Sequence, residues 1–107
     1  MATDQPTRIC GVNRMLPSEI TVQVTQEDID DGIPDNTYDC AIACAVKREF
    51  IGYTVNVGKH GMYIWPTGES ELQCYALPGE ASDFIGDFDS GIPVEPFKFI
   101  ATVKKCP

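Results

Sequence analysis

The chain has 107 residues, 43% of them hydrophobic, and sixteen acidic against eight basic side chains leave a formal net charge of -8. One domain of this size buries roughly two-thirds of its unfolded surface and has room for a single core, so two full domains are excluded. The longest apolar run, Cys40 to Val46, falls far short of the ~18 residues of a membrane span, no basic and apolar leader opens the sequence, and the acidity opposes phosphate-backbone binding; neither membrane insertion, export nor direct nucleic-acid binding is expected.

Residues 1–17 hold Pro6, Gly11 and Pro17 among polar groups without periodicity and read as an irregular arm, leaving 18–107 as the single domain. Ile20, Val22 and Val24 alternate with Thr21, Gln23 and Thr25, the period of a half-buried strand. Thr25 is placed to cap a short helix by accepting from the Asp28 amide, with Glu27 and Asp28 in the first turn and Gly32 and Pro34 at its end. A second helix is expected from Asn36 or Thr37 as cap, because Tyr38, Ala41, Ile42, Ala45, Val46 and Phe50 recur at three- and four-residue steps. Asp39 would lie in its first turn and Lys47 and Arg48 in its last, which suits the helix dipole.

Tyr53, Val55 and Val57, then Met62 and Ile64, flank Gly58-Lys59-His60-Gly61 and predict a hairpin. Leu72, Cys74 and Ala76 alternate with Gln73, Tyr75 and Leu77 as a further strand. Pro78 can open a helix whose apolar stripe is Ala81, Phe84, Ile85 and Phe88, ended by Gly91 and Pro93. Phe97, Phe99, Ala101 and Val103 alternate with Lys98, Ile100, Thr102 and Lys104 as a last strand, whose two mixed faces suggest a central position. The expected fold is α+β: a small, mostly antiparallel sheet of four to five strands packed against two or three short helices.

Five cysteines, Cys10, Cys40, Cys44, Cys74 and Cys106, make an odd number without the close pairs of a zinc knuckle. Cys40, Cys44 and Cys74 lie in apolar patterns and are expected to be buried free thiols. An alternative is a metal site of Cys40, Cys44 and Cys74 with His60, since Cys40 and Cys44 would share a helical face. A Cys10 to Cys106 bridge would require oxidation and would be absent from a reducing cytosol. No cofactor is implied.

The acidity is local. Residues 27–39 carry Glu27, Asp28, Asp30, Asp31, Asp35 and Asp39 without Lys or Arg, and residues 80–95 carry Glu80, Asp83, Asp87, Asp89 and Glu95, again without a base. Such runs are commonly solvated helix starts and exits that keep a protein soluble. An EF-hand is excluded, because Gly32 comes one position early after Asp28 and Asp39 stands where the bidentate Glu belongs. Two options remain, a looser cation site and a surface that presents carboxylates to a basic partner. Catalysis is not expected: His60, the only histidine, falls in the hairpin loop, and Ser18, Ser70, Ser82 and Ser90 occupy caps or turns. Tyr63 and Trp65 lie opposite Met62 and Ile64 on their strand, and form either a surface aromatic pair suited to binding or ordinary core.

Val24-Thr25-Gln26-Glu27-Asp28-Ile29 with Gly32, Asp39-Cys40 before an alanine-rich helix bearing Lys47-Arg48, Leu77-Pro78 before Phe84-Ile85 and Asp87-Phe88-Asp89-Ser90-Gly91, and Val94-Glu95-Pro96-Phe97-Lys98-Phe99 together resemble a family of small, largely uncharacterised proteins encoded by tailed bacteriophages and some bacteria. The resemblance spans about residues 20–100 and carries no shared activity; the Cys-Pro common in that family is Cys44-Ala45 here. It implies a phage source and a host-cell setting. The sequence therefore points to a noncatalytic accessory protein in the host cytoplasm that binds a host or viral protein, as an inhibitor of a host function, through Glu27, Asp28, Asp30, Asp31, Asp83, Asp87 and Asp89 with Tyr63 and Trp65. The alternatives are a structural virion protein of the capsid-decoration kind and a small-ligand or metal-binding domain.

Overall fold

Alternation of branched apolar and polar residues produces five strands, and a computed structural model, which describes residues 16–106, arranges them in one antiparallel sheet. The strands are β1 (Glu19–Val24), β2 (Tyr53–Val57), β3 (Gly61–Pro66), β4 (Gln73–Ala76) and β5 (Phe97–Lys104), in the order β1-β5-β4-β3-β2. Three helices accompany them: α1 (Gln26–Asp31), α2 (Ala41–Glu49) and α3 (Gly79–Asp89). The fold is a small α+β domain, as its sequence pattern requires, and β5 does lie inside the sheet, between β1 and β4. The expected arm falls largely on residues 1–15, outside the described residues.

The sheet curls so that α2 rests on both edge strands, β1 and β2. Ile42, Ala43, Ala45 and Val46 of this helix are buried against Val22, Val24, Val55, Met62, Ile64 and Tyr75, and this is the core. Alanine at three core-facing positions of α2 is what allows so close an approach to the sheet. Each large aliphatic side chain here adds about 2 kcal/mol of burial. Both edges are covered: Arg48 Nη2 donates to the Gln23 carbonyl on β1 (3.0 Å), and the Val57 amide of β2 donates to the Thr37 carbonyl (2.8 Å).

α2 starts later than its periodicity suggests. Asn36 Oδ1 accepts from the amides of Tyr38 and Asp39, both at 3.0 Å, and this side-chain turn holds residues 36–39 out of the helix. Cys40 becomes the N-cap, Tyr38 is left exposed, and Asp39 precedes the helix instead of occupying its first turn. Gly32 is required by proximity: a Cβ there would stand 2.6 Å from the Ala41 backbone nitrogen, so only glycine lets the end of α1 meet the start of α2.

α3 is seated on the start of β5 by stacked rings. Phe84 lies 4.7 Å from Phe97 and 5.9 Å from Phe88, and Phe97 lies 5.3 Å from Phe99, centroid to centroid. The predicted stripe of Ala81, Phe84, Ile85 and Phe88 is the buried face of this helix.

The cysteines depart most from expectation. Cys74 is not a free thiol: it is disulfide-bonded to Cys106, with Cα atoms 5.3 Å apart. Antiparallel pairing of β4 with β5 sets Cys74 opposite Lys104, which brings Cys106, two residues on, alongside it. Cys106 is therefore engaged within the domain and is not available to Cys10, which lies outside the described residues. Cys40 and Cys44 are free, as expected; Cys40 is buried and Cys44 half-buried.

Candidate functional site

Two carboxylates of the first acidic stretch, Asp28 and Asp39, are built into the fold. Thr25 caps α1 in a capping box, with its hydroxyl accepting from the Asp28 amide (3.2 Å) and the Asp28 carboxylate accepting from the Thr25 amide (2.9 Å). Arg48 Nη1 donates to the other carboxylate oxygen of Asp28. Asp28 is 5% exposed, so it does not belong to the exposed partner-binding surface expected from the sequence. Burial pushes its carboxyl up, but the Arg48 guanidinium and the two Thr25 donors outweigh that and hold it below the ordinary carboxylate value. Asp39 is likewise paired, with Lys47 Nζ at 2.9 Å, although both side chains stay well exposed. Glu27, Asp30 and Asp31 face solvent on α1, where Asp30 accepts from Gln26 Nε2.

The second stretch forms a groove. Glu80, Asp83 and Asp87 recur at steps of three and four along α3 and share one face with Phe84. The chain that returns after the helix, through Pro93, Val94 and Glu95 to Phe97, forms the opposite wall. Between them lies an open cleft of about 330 Å³ with an apolar floor of Phe84, Phe97 and Val94 and four carboxylates around it. None of these four has a cation within ion-pair distance among the described residues, where Arg48–Asp28 and Lys47–Asp39 are the ion pairs.

Asp89 does something else: its Oδ1 accepts from the backbone amide of Asp35 at 2.9 Å, tying the end of α3 to the loop before α2. Asp35 holds φ 60, the left-handed conformation that Asp tolerates better than most residues. The two acidic stretches thus meet at Asp35 and Asp89, beside a narrow 160 Å³ cleft that also contains Cys40. Burial raises the Cys40 thiol above its ordinary value, which keeps it protonated and a poor nucleophile.

Tyr63 and Trp65 lie half-buried on the face of β3 away from the core, because Met62 and Ile64 are fully buried on the other. Their cross-strand neighbours are Asn56 and Cys74 for Tyr63 and Thr54 for Trp65, and neither ring lines the groove. The alternative ligand set Cys40, Cys44, Cys74 and His60 is not assembled. Cys74 is committed to Cys106, and no group of three ligating side chains able to hold a metal occurs among the described residues. His60 is exposed in the β2–β3 turn.

Sequence reasoning missed Glu80 and Glu95 as groove residues. The three- and four-residue spacing to Asp83 and Asp87 could have supplied Glu80, whereas Glu95 enters only through the return of the chain. The chain defines a small α+β domain with an acidic, aromatic-floored cleft, and it has no helix among the described residues long and apolar enough to cross a membrane. It matches no protein-family model, and neither a curated protein nor a solved structure is significantly similar to it.

Proposed function

We propose that the protein is a noncatalytic binding module that receives a basic segment of a host or viral protein in the cleft between α3 and residues 93–97, and thereby inhibits its partner. The observation that carries this reading is the placement of charge on α3. Asp83 and Asp87 repel each other at a four-residue spacing, and Asp87 sits in the last turn, where the helix dipole disfavours anions. These choices weaken the helix and are not offset by ion pairs among the described residues, as expected where charge is kept for a partner. Four carboxylates around the Phe84 and Phe97 rings suit Arg or Lys side chains flanking an apolar anchor. A phage accessory role in the host cell rests on the sequence resemblance alone.

The test is a titration of the isotope-labelled protein with a short peptide of Arg residues flanking one Trp, followed by backbone amide shifts. Shifts concentrated in residues 80–97, and an affinity that drops at least tenfold between low and moderate salt, support the reading. Shifts centred on Tyr63 and Trp65, or salt-independent binding, reject it.

A second reading, a virion decoration protein, is favoured by the Cys74–Cys106 bond, because such bonds persist outside a reducing cytosol. Many copies per purified particle would establish it, and absence from particles would eliminate it.

A further inference from the structure

The sheet consists of two well-paired parts joined by a short seam. β1 pairs with β5 along all of Glu19–Val24, and β2, β3 and β4 form a continuous meander. The two parts meet only where Cys74–Ala76 of β4 pairs with Thr102–Lys104 of β5, the shortest ladder in the sheet. The disulfide lies at the end of that ladder. Cys74 is 1% exposed, Cys106 is exposed, and the bond fastens the tail beyond β5 to β4.

We propose that Cys74 and Cys106 form a redox latch on the β4–β5 seam, closed as the disulfide and opened by exchange with a dithiol. The exposed Cys106 sulfur receives the attack. A dithiol thiolate bonds to Cys106 Sγ, the Cys74–Cys106 bond breaks, and Cys74 leaves as a thiolate that takes up a proton. The second thiolate of the reductant then attacks the reductant's first sulfur in the mixed disulfide and expels Cys106 as a thiolate, which takes up a proton from solvent. The reductant departs as a disulfide, two electrons having passed to the cysteines. The other free thiols among the described residues compete poorly, since burial raises both Cys40 and Cys44 above the ordinary thiol value.

Opening acts on the seam and not on the whole core, because α2 still spans β1 and β2 from the inside, and Tyr75 Oη still donates to the Pro17 carbonyl at 2.6 Å. The latch is also separate from the acidic cleft. Phe97 and Lys104 are the opposite ends of β5, roughly 23 Å apart along an extended strand, and Cys106 lies two residues beyond Lys104.

Hydrogen exchange read by mass spectrometry on the full chain, oxidised and then treated with dithiothreitol, tests this. Reduction should raise exchange in residues 73–76 and 102–106 at least tenfold, leave α2 and the β2–β3 hairpin unchanged, and be reversed by oxidised glutathione. The Cys74→Ser/Cys106→Ser variant should match the reduced protein and ignore both reagents. Unchanged exchange at the seam would overturn the proposal. So would an equal rise in every element, a variant that fails to fold, or a peptide map in which air-oxidised protein carries alkylated Cys74 and Cys106.

Discussion

Asp28 and Asp39 each face a cation, Arg48 and Lys47, whereas Glu80, Asp83, Asp87 and Glu95 face an open cleft without an ion-pair partner among the described residues. The two acidic stretches look alike in the sequence, with similar length, density and lack of internal bases. Their surroundings separate them. The basic residues that pair with Asp28 and Asp39 come from α2, next to α1 in space; α3 instead stacks Phe84 on Phe97 at the start of β5, and Lys59, whose side chain lies against Gly86, is in no ion pair with its carboxylates. Net charge therefore says little about which carboxylates hold the fold and which are free to meet a partner; that depends on which elements are neighbours.

The comparison breaks most sharply at Arg48. Replacing it by Met leaves Asp28 buried with a charge that only Thr25 answers, and uncovers the Gln23 carbonyl; urea unfolding should show a loss of about 3 kcal/mol. That loss should depend on pH. The folded Asp28 carboxyl titrates below its ordinary value of 3.8, so the stability it supplies is full above that value and disappears as the pH falls through the lowered one. The gap between wild type and Arg48→Met should close in the same direction, and equal penalties at pH 7 and in strong acid would contradict the assignment.

Gly32→Ala should cost about 2 kcal/mol, because the new methyl meets backbone atoms of Ala41 and Asp28 that cannot move independently of two helices. Asp28→Asn should cost less than the Arg48 change, about 1 kcal/mol, since the guanidinium left behind is already largely in water. Lys47→Ala should shift stability by less than about 0.5 kcal/mol, as both partners of that pair are exposed. Asp87→Lys should go the other way and stabilise α3 by about 0.5 kcal/mol, because it relieves repulsion and suits the dipole. A destabilised Asp87→Lys variant would mean that this carboxylate is structural after all.

Much of the architecture was legible because it is written in short-range periodicity. The alternation of Ile20, Val22 and Val24, the Thr25 cap, the hairpin around Gly58 to Gly61 and the stripe of Ala81, Phe84, Ile85 and Phe88 all depend on neighbours a few residues away. The late start of α2 was missed because Asn36 competes for the Tyr38 and Asp39 amides, a side-chain choice that helical periodicity does not register. The Cys74–Cys106 bond, the burial of Asp28 by Arg48 twenty residues away, and the entry of Glu95 into the cleft are all products of which elements become neighbours. Alternation placed Cys74 and Tyr75 on opposite faces, which they do occupy. It could not show that both would be buried, Tyr75 by the core and Cys74 on the other side at the disulfide.

The central claim is that the α3 carboxylates, and not those of α1, serve a partner. It is tested most directly by the affinity of the Arg-flanked Trp peptide for two charge-reversed proteins, Asp83→Lys/Asp87→Lys and Glu27→Lys/Asp30→Lys, measured at the same ionic strength. Each change is equal in charge, so any difference reports position. The account predicts at least a tenfold loss for the α3 pair and less than threefold for the α1 pair; equal losses, or a larger one for α1, would contradict it.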